Sequence, residues 1–458
     1  MWKPRLDPDK PLYLAIIDAL EKDAASGRLK PGQKLPPQRD LADQLGVNVS
    51  TVSRAFKEGE RRGLISGTVG RGTFISADAG IAVPLVQHDA PKTGLIEMGL
   101  VLPLYARESR VSAGLKDIFA ALDPAPLLRY AGPAGLREHR ETGAAWLERF
   151  GLKAGAEEII VTSGSQNALA CCLMGLFRCG DRLAVDALTY PGVKTLAGLL
   201  GIRLVPISLD DQGMSPEALE TACRRDSIRG LYLMPEFQNP TTGRLAEVRR
   251  EKIAKIIEKH DLILIEDEAY GFTSELAGKA LSARLPEHGI FIGGLSKAFG
   301  AGLRISFLGA GKRFREALEQ AMLGSTWMAS PLCAELACRI INSGLAGETM
   351  AEKRDEAEIR LKMARDKPFG PRLRFRPHGF FAWLELPEPW TGREFELTAR
   401  EAGVRIFCAE KFAVGGGRAP AAVRVSLSGP ETRADLARGL DILAGILSGG
   451  FRDERAVF

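Results

Sequence analysis

Five residues in one stretch of the sequence have side chains that could hold a phosphorylated aldehyde: Asp267, Tyr270, Ser296, Lys297 and Arg304. Lys297 supplies an amine that can form a Schiff base. Ser296 and Arg304 supply a hydroxyl and a guanidinium, which together suit a phosphate dianion. Asp267 follows an apolar run, so its carboxylate is expected at the end of a buried strand, where it can bind a protonated ring nitrogen. The set predicts a site for pyridoxal phosphate.

Other residues along the chain could complete the contacts that this cofactor needs. Tyr270 and Asn239 can donate to the phenolic oxygen of its ring, and Tyr190 can cover one ring face. A short polar run precedes an apolar helix, and the backbone N–H groups at a helix N-terminus bind phosphate. The residues of that run are Ser163, Gly164, Ser165 and Gln166. Each of these features alone is an ordinary turn or surface pair, but their order along the chain favours one site.

The surrounding sequence predicts the elements that position these residues. From residue 110 to 335, apolar strands alternate with amphipathic helices, which indicates an α/β domain with a mostly parallel sheet and helices on both faces. The predicted strands are Glu158–Thr162, Arg182–Val185, Leu204–Ile207, Gly230–Met234, Leu262–Glu266 and Ile290–Ile292. Ligands of such sheets bind at the carboxyl ends of strands, where the candidate residues stand. Residues 336–458 predict a small α+β subdomain that ends with the strand Val423–Leu427.

The collinear motifs resemble those of fold-type I aminotransferases of class I. Ser296-Lys297 with Gly302-Leu303-Arg304 is similar to the family's lysine and phosphate-arginine segment, with Ala301 where many relatives have proline. The resemblance implies that Arg424 binds a substrate carboxylate. It also implies that Tyr130, which precedes Pro133 and Gly135-Leu136-Arg137, reaches the phosphate of the neighbouring subunit in a dimer.

The first 76 residues predict a second module. Residues 11–25 form a helix that Pro11 can open, a second helix begins near Pro36-Pro37, and Asn48 can cap a third. Two short strands follow, Leu64–Ser66 and Thr73–Ile75, on either side of a glycine-rich tip. This order of elements predicts a winged helix-turn-helix, whose last helix would enter the major groove of double-stranded DNA.

Several polar residues of this module could contact DNA. The candidates on helices or at their ends are Arg39, Asn48, Ser50, Thr51, Ser53 and Arg54, and the candidates at the wing tip are Gly70 and Arg71. The segment resembles the DNA-binding domain of GntR-type regulators, from Pro31-Gly32 to the Gly70–Phe74 motif. It departs from that family at Val49, where the family often has an arginine on DNA.

The composition of the chain limits the number of domains and the class of protein. The chain has 458 residues, too many for one compact core, and its net charge of +5 is uneven. Residues 1–75 carry 13 Lys/Arg and 9 Asp/Glu, a charge of +4, which suits a nucleic-acid partner although it also fits a solvated basic face. The seven cysteines have neither disulfide nor metal-type spacing. No metal is therefore expected. The longest apolar run, Ala168–Phe177, is too short to span a membrane, so a cytoplasmic protein is expected.

The two modules, joined by a predicted linker at 77–109, resemble together the MocR/GabR branch of GntR regulators. That resemblance implies a head-to-tail homodimer that regulates transcription and senses an amino compound by Schiff-base exchange at Lys297. Two alternatives stay open at this point. The chain could be a true aminotransferase that carries a DNA-binding head, or a plain repressor whose large domain no longer binds the cofactor.

Overall fold

A computed structural model describes residues 2–8, 10–25, 28–29, 33–61, 64–68, 72–75, 94–273, 280–416 and 419–449. Its N-terminal module consists of helices α1 (Leu12–Ala25), α2 (Gln38–Leu45) and α3 (Val49–Arg61), followed by the antiparallel strands β1 (Ile65–Thr68) and β2 (Gly72–Ile75). The predicted winged helix-turn-helix is confirmed. The predicted contacts Gly70 and Arg71 at the wing tip lie outside the described residues.

Local sequence signals explain the helix pair of this module. Gly46 ends α2 with a φ of 64°, which glycine adopts at little cost. The Asn48 side chain accepts the Ser50 amide at 2.9 Å and so caps α3, as predicted. Val52 and Phe56 of α3 are fully buried in the module's apolar core. The short turn between α2 and α3 is therefore fixed at both ends and by packing beneath it.

The C-terminal body contains the remaining helices and strands. The helices are α4 (Ser109–Ala120), α5 (Arg137–Glu148), α6 (Ser165–Leu176), α7 (Pro191–Leu200), α8 (Pro216–Arg225), α9 (Glu247–Lys259), α10 (Arg315–Ser325), α11 (Pro331–Asn342), α12 (Leu345–Arg365), α13 (Gly392–Glu401) and α14 (Arg433–Leu447). The strands are β3 (Ile96–Glu97), β4 (Ile159–Thr162), β5 (Arg182–Asp186), β6 (Arg203–Ile207), β7 (Leu209–Asp210), β8 (Gly213–Met214), β9 (Ile228–Leu233), β10 (Ile263–Asp267), β11 (Gly289–Gly294), β12 (Ser306–Ala310), β13 (Leu373–Arg374), β14 (Phe381–Glu385), β15 (Val404–Arg405), β16 (Phe407–Cys408) and β17 (Ala422–Ser426).

A seven-stranded sheet in the order β4-β12-β11-β10-β9-β5-β6 forms the centre of the body. The pairs β11–β10, β10–β9, β9–β5 and β5–β6 are parallel, which confirms the prediction of a mostly parallel sheet. Strand β12 was not predicted, and it runs antiparallel to both β11 and β4. Ile263 and Ile265 of β10 belong to the core on one face, and Leu264 belongs to the core on the other. Both faces are thus buried, as helices on each side require.

The small subdomain is built on a second sheet, in the order β13-β14-β17-β16. Its core includes Leu384 of β14, Val425 of β17 and Leu440 of α14. Met98 belongs to the same core and is fully buried, and β3 pairs in parallel with β15. The predicted linker at 77–109 is therefore wrong in its last part. Residues 94–109 belong to the folded body. They were missed because the pairing of β3 with residues 404–405 is long-range, and the local sequence does not reveal it.

Among the described residues, no helix combines the length and the apolar composition needed to cross a membrane.

Candidate functional site

A cavity of about 330 Å³ lies at the carboxyl ends of the central strands. Asp267 ends β10, and Ser296 and Lys297 open a π-helical turn that follows β11. The cavity collects most of the residues that the sequence singled out: Ser165, Gln166, Tyr190, Asn239, Asp267, Tyr270, Ser296, Lys297, Arg304 and Arg424. Residues from loops and strands up to 259 positions apart in sequence thus meet in one pocket, as the parallel topology requires.

Lys297 extends its amine into this cavity. The Nζ atom donates to the backbone carbonyl of Val101. Burial, together with the nearby charge of Arg424, lowers the pKa of Lys297 to about 8. A lysine with a lowered pKa has a larger neutral fraction near pH 7, and the neutral amine is the form that attacks an aldehyde.

Asp267 provides a buried carboxylate with one oxygen still available. Its Oδ2 atom accepts the Tyr232 hydroxyl at 2.9 Å, whereas Oδ1 has no hydrogen-bond partner within the part of the chain that the structure describes. Burial raises the pKa of Asp267 to about 6, an effect that the Tyr232 hydrogen bond partly offsets. A protonated pyridine nitrogen would satisfy Oδ1 and stabilise the charged carboxylate. The chemistry of Asp267 therefore fits the ring end of pyridoxal phosphate.

A second group of residues fits the phosphate end. Arg304 donates from Nη1 to the Ser296 hydroxyl at 3.1 Å, so the two side chains lie together. Gly164 precedes α6 with a φ of 87°, and a Cβ atom there would lie 2.5 Å from Arg304 Nη2. The first amides of α6 begin at Ser165, and amides at a helix N-terminus lack acceptors within the helix. Ser163 lies just outside the cavity, with its amide bonded to the Asn167 side chain at 3.0 Å.

Two tyrosines lie in the same pocket. The Tyr190 hydroxyl donates to Gln166 Oε1 at 3.1 Å, and burial raises the pKa of Tyr190 to about 12. Tyr270 is buried against Phe237 and Phe381, with ring centroids 5.7 and 5.4 Å away, and burial also raises its pKa. Both hydroxyls stay protonated at neutral pH and can act as donors, which the predicted contact of Tyr270 with a phenolic oxygen requires.

Arg424 presents a buried positive charge to the pocket from β17. Nη1 donates to Asn239 Oδ1 and Nη2 to the carbonyl of Gly99, both at 2.6 Å. The guanidinium lies 4.8 Å from the ring centroid of Phe412, and the Arg424 residue is 5% exposed. Within the described ranges of the chain, the Nε atom of Arg424 has no hydrogen-bond partner, and no carboxylate forms an ion pair with the guanidinium. Burial lowers the pKa of Arg424 to about 10, although Tyr270, Tyr190 and Glu97 act on it in the opposite direction.

Three contributors to the site were not predicted. Tyr232 bonds to Asp267, and the fully buried Lys353 donates to the backbone carbonyl of Lys297 at 3.3 Å and to Glu108 at 2.8 Å. The segment Leu100–Leu102 lines the cavity from the stretch that was assigned to the linker. A signal for Tyr232 was present, since it is the one polar tip inside an apolar strand, Gly230–Met234.

The structure does not bring every predicted residue to a ligand site. Tyr130 does not line the cavity; it is 85% exposed, with its ring 6.1 Å from that of Trp327. Its predicted role depends on a neighbouring subunit and stays a prediction.

The DNA-facing candidates also stay predictions, although their environments differ. Arg39 and Ser50 are exposed, and Thr51 is half-buried. Asn48 is occupied as the cap of α3, and the Ser53 hydroxyl donates to Gln38 at 2.6 Å. Arg54 stacks on the Tyr13 ring at 4.0 Å. The Ser50 hydroxyl also donates to Asn48, at 2.9 Å, so Arg39 is the exposed candidate best placed to meet a phosphate.

Both modules of the chain match known protein families. Residues 12–75 match the bacterial regulatory proteins of the gntR family, and residues 104–443 match aminotransferase class I and II. An uncharacterized HTH-type transcriptional regulator of Bacillus subtilis, YdeF, is 38% identical over 97% of this chain and 96% of its own length. The chain is a GntR-family transcriptional regulator of the MocR type. The regulator binds DNA through its N-terminal module, and pyridoxal phosphate is the cofactor of its C-terminal body.

Two other proteins are similar to this regulator. The vitamin B6 salvage pathway transcriptional repressor PtsJ of Salmonella typhimurium is 28% identical over 68% of this chain and 71% of its own. Among solved structures, the α-aminoadipate aminotransferase LysN of Thermus thermophilus has a TM-score of 0.69 and 24% identity, and the match covers 81% of this chain and 96% of that one. At that identity the likeness to LysN shows the fold alone, which confirms the fold-type I architecture of the body.

The phosphate cradle can be tested by adding one methyl group. Gly164→Ala is expected to weaken cofactor binding by at least about tenfold, because the new Cβ displaces the charge-assisted donor Arg304. Cofactor affinity can be measured by titrating the cofactor-free protein and following absorbance. Gly180→Ala is the matched control, since Gly180 also has a positive φ, 94°, but open space around it. Equal losses in the two variants would show that backbone strain, and not the cradle, causes the effect.

Proposed function

We propose that this regulator senses a small amino compound that carries a carboxylate, and that occupation of the pocket changes its affinity for DNA. The observation that carries the proposal is Arg424, a buried guanidinium without a carboxylate partner in the described chain, in the same cavity as Lys297. A buried charge is stable when an anion and hydrogen bonds satisfy it. A carboxylate ligand would supply both.

The amine of the ligand is proposed to be recognised at Lys297. When bound, pyridoxal phosphate supplies an aldehyde carbon for which Lys297 and a primary amine of the ligand compete. Asp267 and Tyr270 would hold the ring end of the cofactor, while Ser296, Arg304 and the N-terminus of α6 would hold the phosphate. The displaced Lys297 amine, with its pKa near 8, can take up a proton and stay in the cavity.

Assembly and location complete the proposal. The dimer is proposed to be head-to-tail, and the exposed ring of Tyr130 beside Trp327 offers an aromatic surface to a second copy of the chain. Two heads would read two half-sites on double-stranded DNA. A protein with this task meets DNA in the cytoplasm. We propose residues 1–76 as the DNA-binding domain, with a body that begins near residue 94 and divides near 335 into the large domain and the small subdomain.

The salt dependence of DNA binding tests the role of the head. The logarithm of DNA affinity is expected to fall linearly with the logarithm of salt concentration, with a slope of roughly −0.9 per neutralised phosphate. Arg39→Ala should make that slope less steep by about 1, because Arg39 is exposed at the start of α2. A non-specific duplex is sufficient for the measurement. Arg203→Ala, which removes an exposed arginine from β6 of the body, should leave the slope unchanged. A salt-independent affinity would contradict DNA binding through phosphates.

A second function is favoured by the completeness of the pocket. The groups that hold the cofactor and a carboxylate are also those that an aminotransferase needs. A titration of amino compounds that follows cofactor absorbance, with DNA binding measured for each hit, separates the two. Steady-state turnover of an amino donor and a keto acid at about 1 per second or more would favour the enzyme. A response of DNA affinity without such turnover supports the sensor.

A further inference from the structure

A short turn of chain lies between β3 and the cofactor pocket. We name residues 97–100 the entry turn, because the chain that comes from the DNA-binding module enters the body at β3. Leu100 already lines the pocket, and the Ser426 amide donates to the carbonyl of Met98 at 2.7 Å. The entry turn is thus anchored beside β17, the strand that carries Arg424.

Ligand binding depends on two basic side chains, Arg424 and Lys297. Both donate hydrogen bonds to backbone carbonyls of the entry turn or of the residue after it. The Gly99 carbonyl accepts Arg424 Nη2 at 2.6 Å, and the Val101 carbonyl accepts Lys297 Nζ. A ligand carboxylate that bonds to Nη2 of Arg424 must therefore replace the Gly99 carbonyl. The exchange favours the carboxylate, because its negative charge pairs with the buried guanidinium, whereas the Gly99 carbonyl supplies only a hydrogen bond.

Glu97 fixes the direction in which the Gly99 carbonyl points. Its Oε1 atom accepts the amides of Gly99 and Leu100, both at 2.8 Å, and its Oε2 atom accepts Arg405 Nη1 at 3.1 Å. Gly99 also needs to be glycine, since a Cβ atom there would lie 2.9 Å from the Phe407 ring. One carboxylate therefore holds the turn closed against Arg424.

We propose that Glu97 is a positioning residue of the effector site, which holds the Gly99 carbonyl on Arg424 in competition with the carboxylate of the ligand. The inference rests on the proposed binding of a ligand carboxylate by Arg424. The ligand binds fully only when the carbonyl has left, so its apparent affinity is reduced by the fraction of molecules with a free Arg424. Release of the carbonyl opens the turn through which the chain from the DNA-binding module enters the body.

Two small probes isolate the contribution of the carboxylate. Glycine carries an amine and a carboxylate, and methylamine is the same amine without the carboxylate. Each is titrated into the cofactor-loaded full chain at one pH, and the affinity is taken from the change in cofactor absorbance. The ratio of the glycine affinity to the methylamine affinity is the carboxylate preference.

Glu97→Gln is expected to raise the carboxylate preference by about 3- to 10-fold, because neutral hydrogen bonds hold the entry turn less tightly than charged ones. The increase should appear in the glycine affinity, with the methylamine affinity unchanged. Glu251→Gln, which makes the same substitution at an exposed position of α9, should leave both affinities as they are. A preference that falls or stays the same in Glu97→Gln would overturn the inference.

Hydrogen exchange in the unmodified protein provides a second measurement that does not depend on the variant. The amides of Gly99 and Leu100 should exchange faster with glycine bound than with methylamine bound, and equal exchange would overturn the inference. Arg424→Ala separates this failure from failure of the proposed function. If that variant keeps the wild-type carboxylate preference, Arg424 does not bind the carboxylate. If it loses the preference while Glu97→Gln shows no gain, only the role of Glu97 is wrong.

Discussion

Replacement of Arg424 by alanine is expected to lower the carboxylate preference of the cofactor-loaded protein by about 100-fold. The estimate corresponds to the loss of two charge-assisted hydrogen bonds at roughly 1.5 kcal/mol or more each. Methylamine affinity and cofactor absorbance should be nearly unchanged, because methylamine has no carboxylate and Arg424 is not one of the residues proposed to hold the ring or the phosphate of the cofactor. The measurement is the paired titration with glycine and methylamine.

The matched variant for this test is Arg424→Lys. It keeps a positive charge on β17 but loses the planar pair of donors, so an intermediate preference is expected. Binding of glycine by Arg424→Ala with wild-type affinity would contradict a carboxylate site at this residue. A parallel loss of glycine and methylamine binding would indicate that the substitution has damaged the whole pocket.

Replacement of Lys297 by alanine is expected to remove the covalent attachment of the cofactor. Cofactor affinity should fall by about 100-fold or more, the range that the loss of a principal anchoring contact produces. At cofactor concentrations that saturate the wild type, the effect of an amino compound on DNA affinity should then disappear. Absorbance and fluorescence anisotropy with labelled DNA measure the two quantities.

Lys255→Ala serves as the control for Lys297→Ala, because Lys255 is exposed on α9. It should keep both the cofactor and the response. DNA binding without any amine should survive in Lys297→Ala, since the head has its own apolar core. An undiminished response to the amino compound in Lys297→Ala would show that the sensor does not work through this lysine.

The sequence was sufficient for those parts of the molecule that local patterns determine. The strand β10 and the carboxylate that ends it could be predicted together, because an apolar run of strand length followed by Asp267 has few other interpretations. Asn48 was predicted as a cap for the same reason, since a cap depends on residues within one helical turn. Lys297 and Arg304 followed from their order after β11 and from the resemblance to a known family.

Contacts between residues that are remote along the chain could not be predicted from the sequence. Strand β12 was missed although it lies between β11 and β4, because Ser306–Ala310 is a short run of small and apolar residues without a turn signal. The role of residues 94–104 was missed because β3 is only two residues long and pairs with β15, about 300 residues later. Lys353 was missed because its partners, Glu108 and the Lys297 carbonyl, lie 245 and 56 residues away along the chain.

The central claim is that the pocket and the DNA-binding head are energetically coupled. The most direct test measures the coupling in both directions with the amino compound that gives the largest absorbance shift. The account predicts that a saturating amount of this compound changes the DNA dissociation constant by roughly 5- to 150-fold, and that saturating DNA changes the affinity for the compound by the same factor. A DNA dissociation constant that is the same with and without the bound compound would contradict the account.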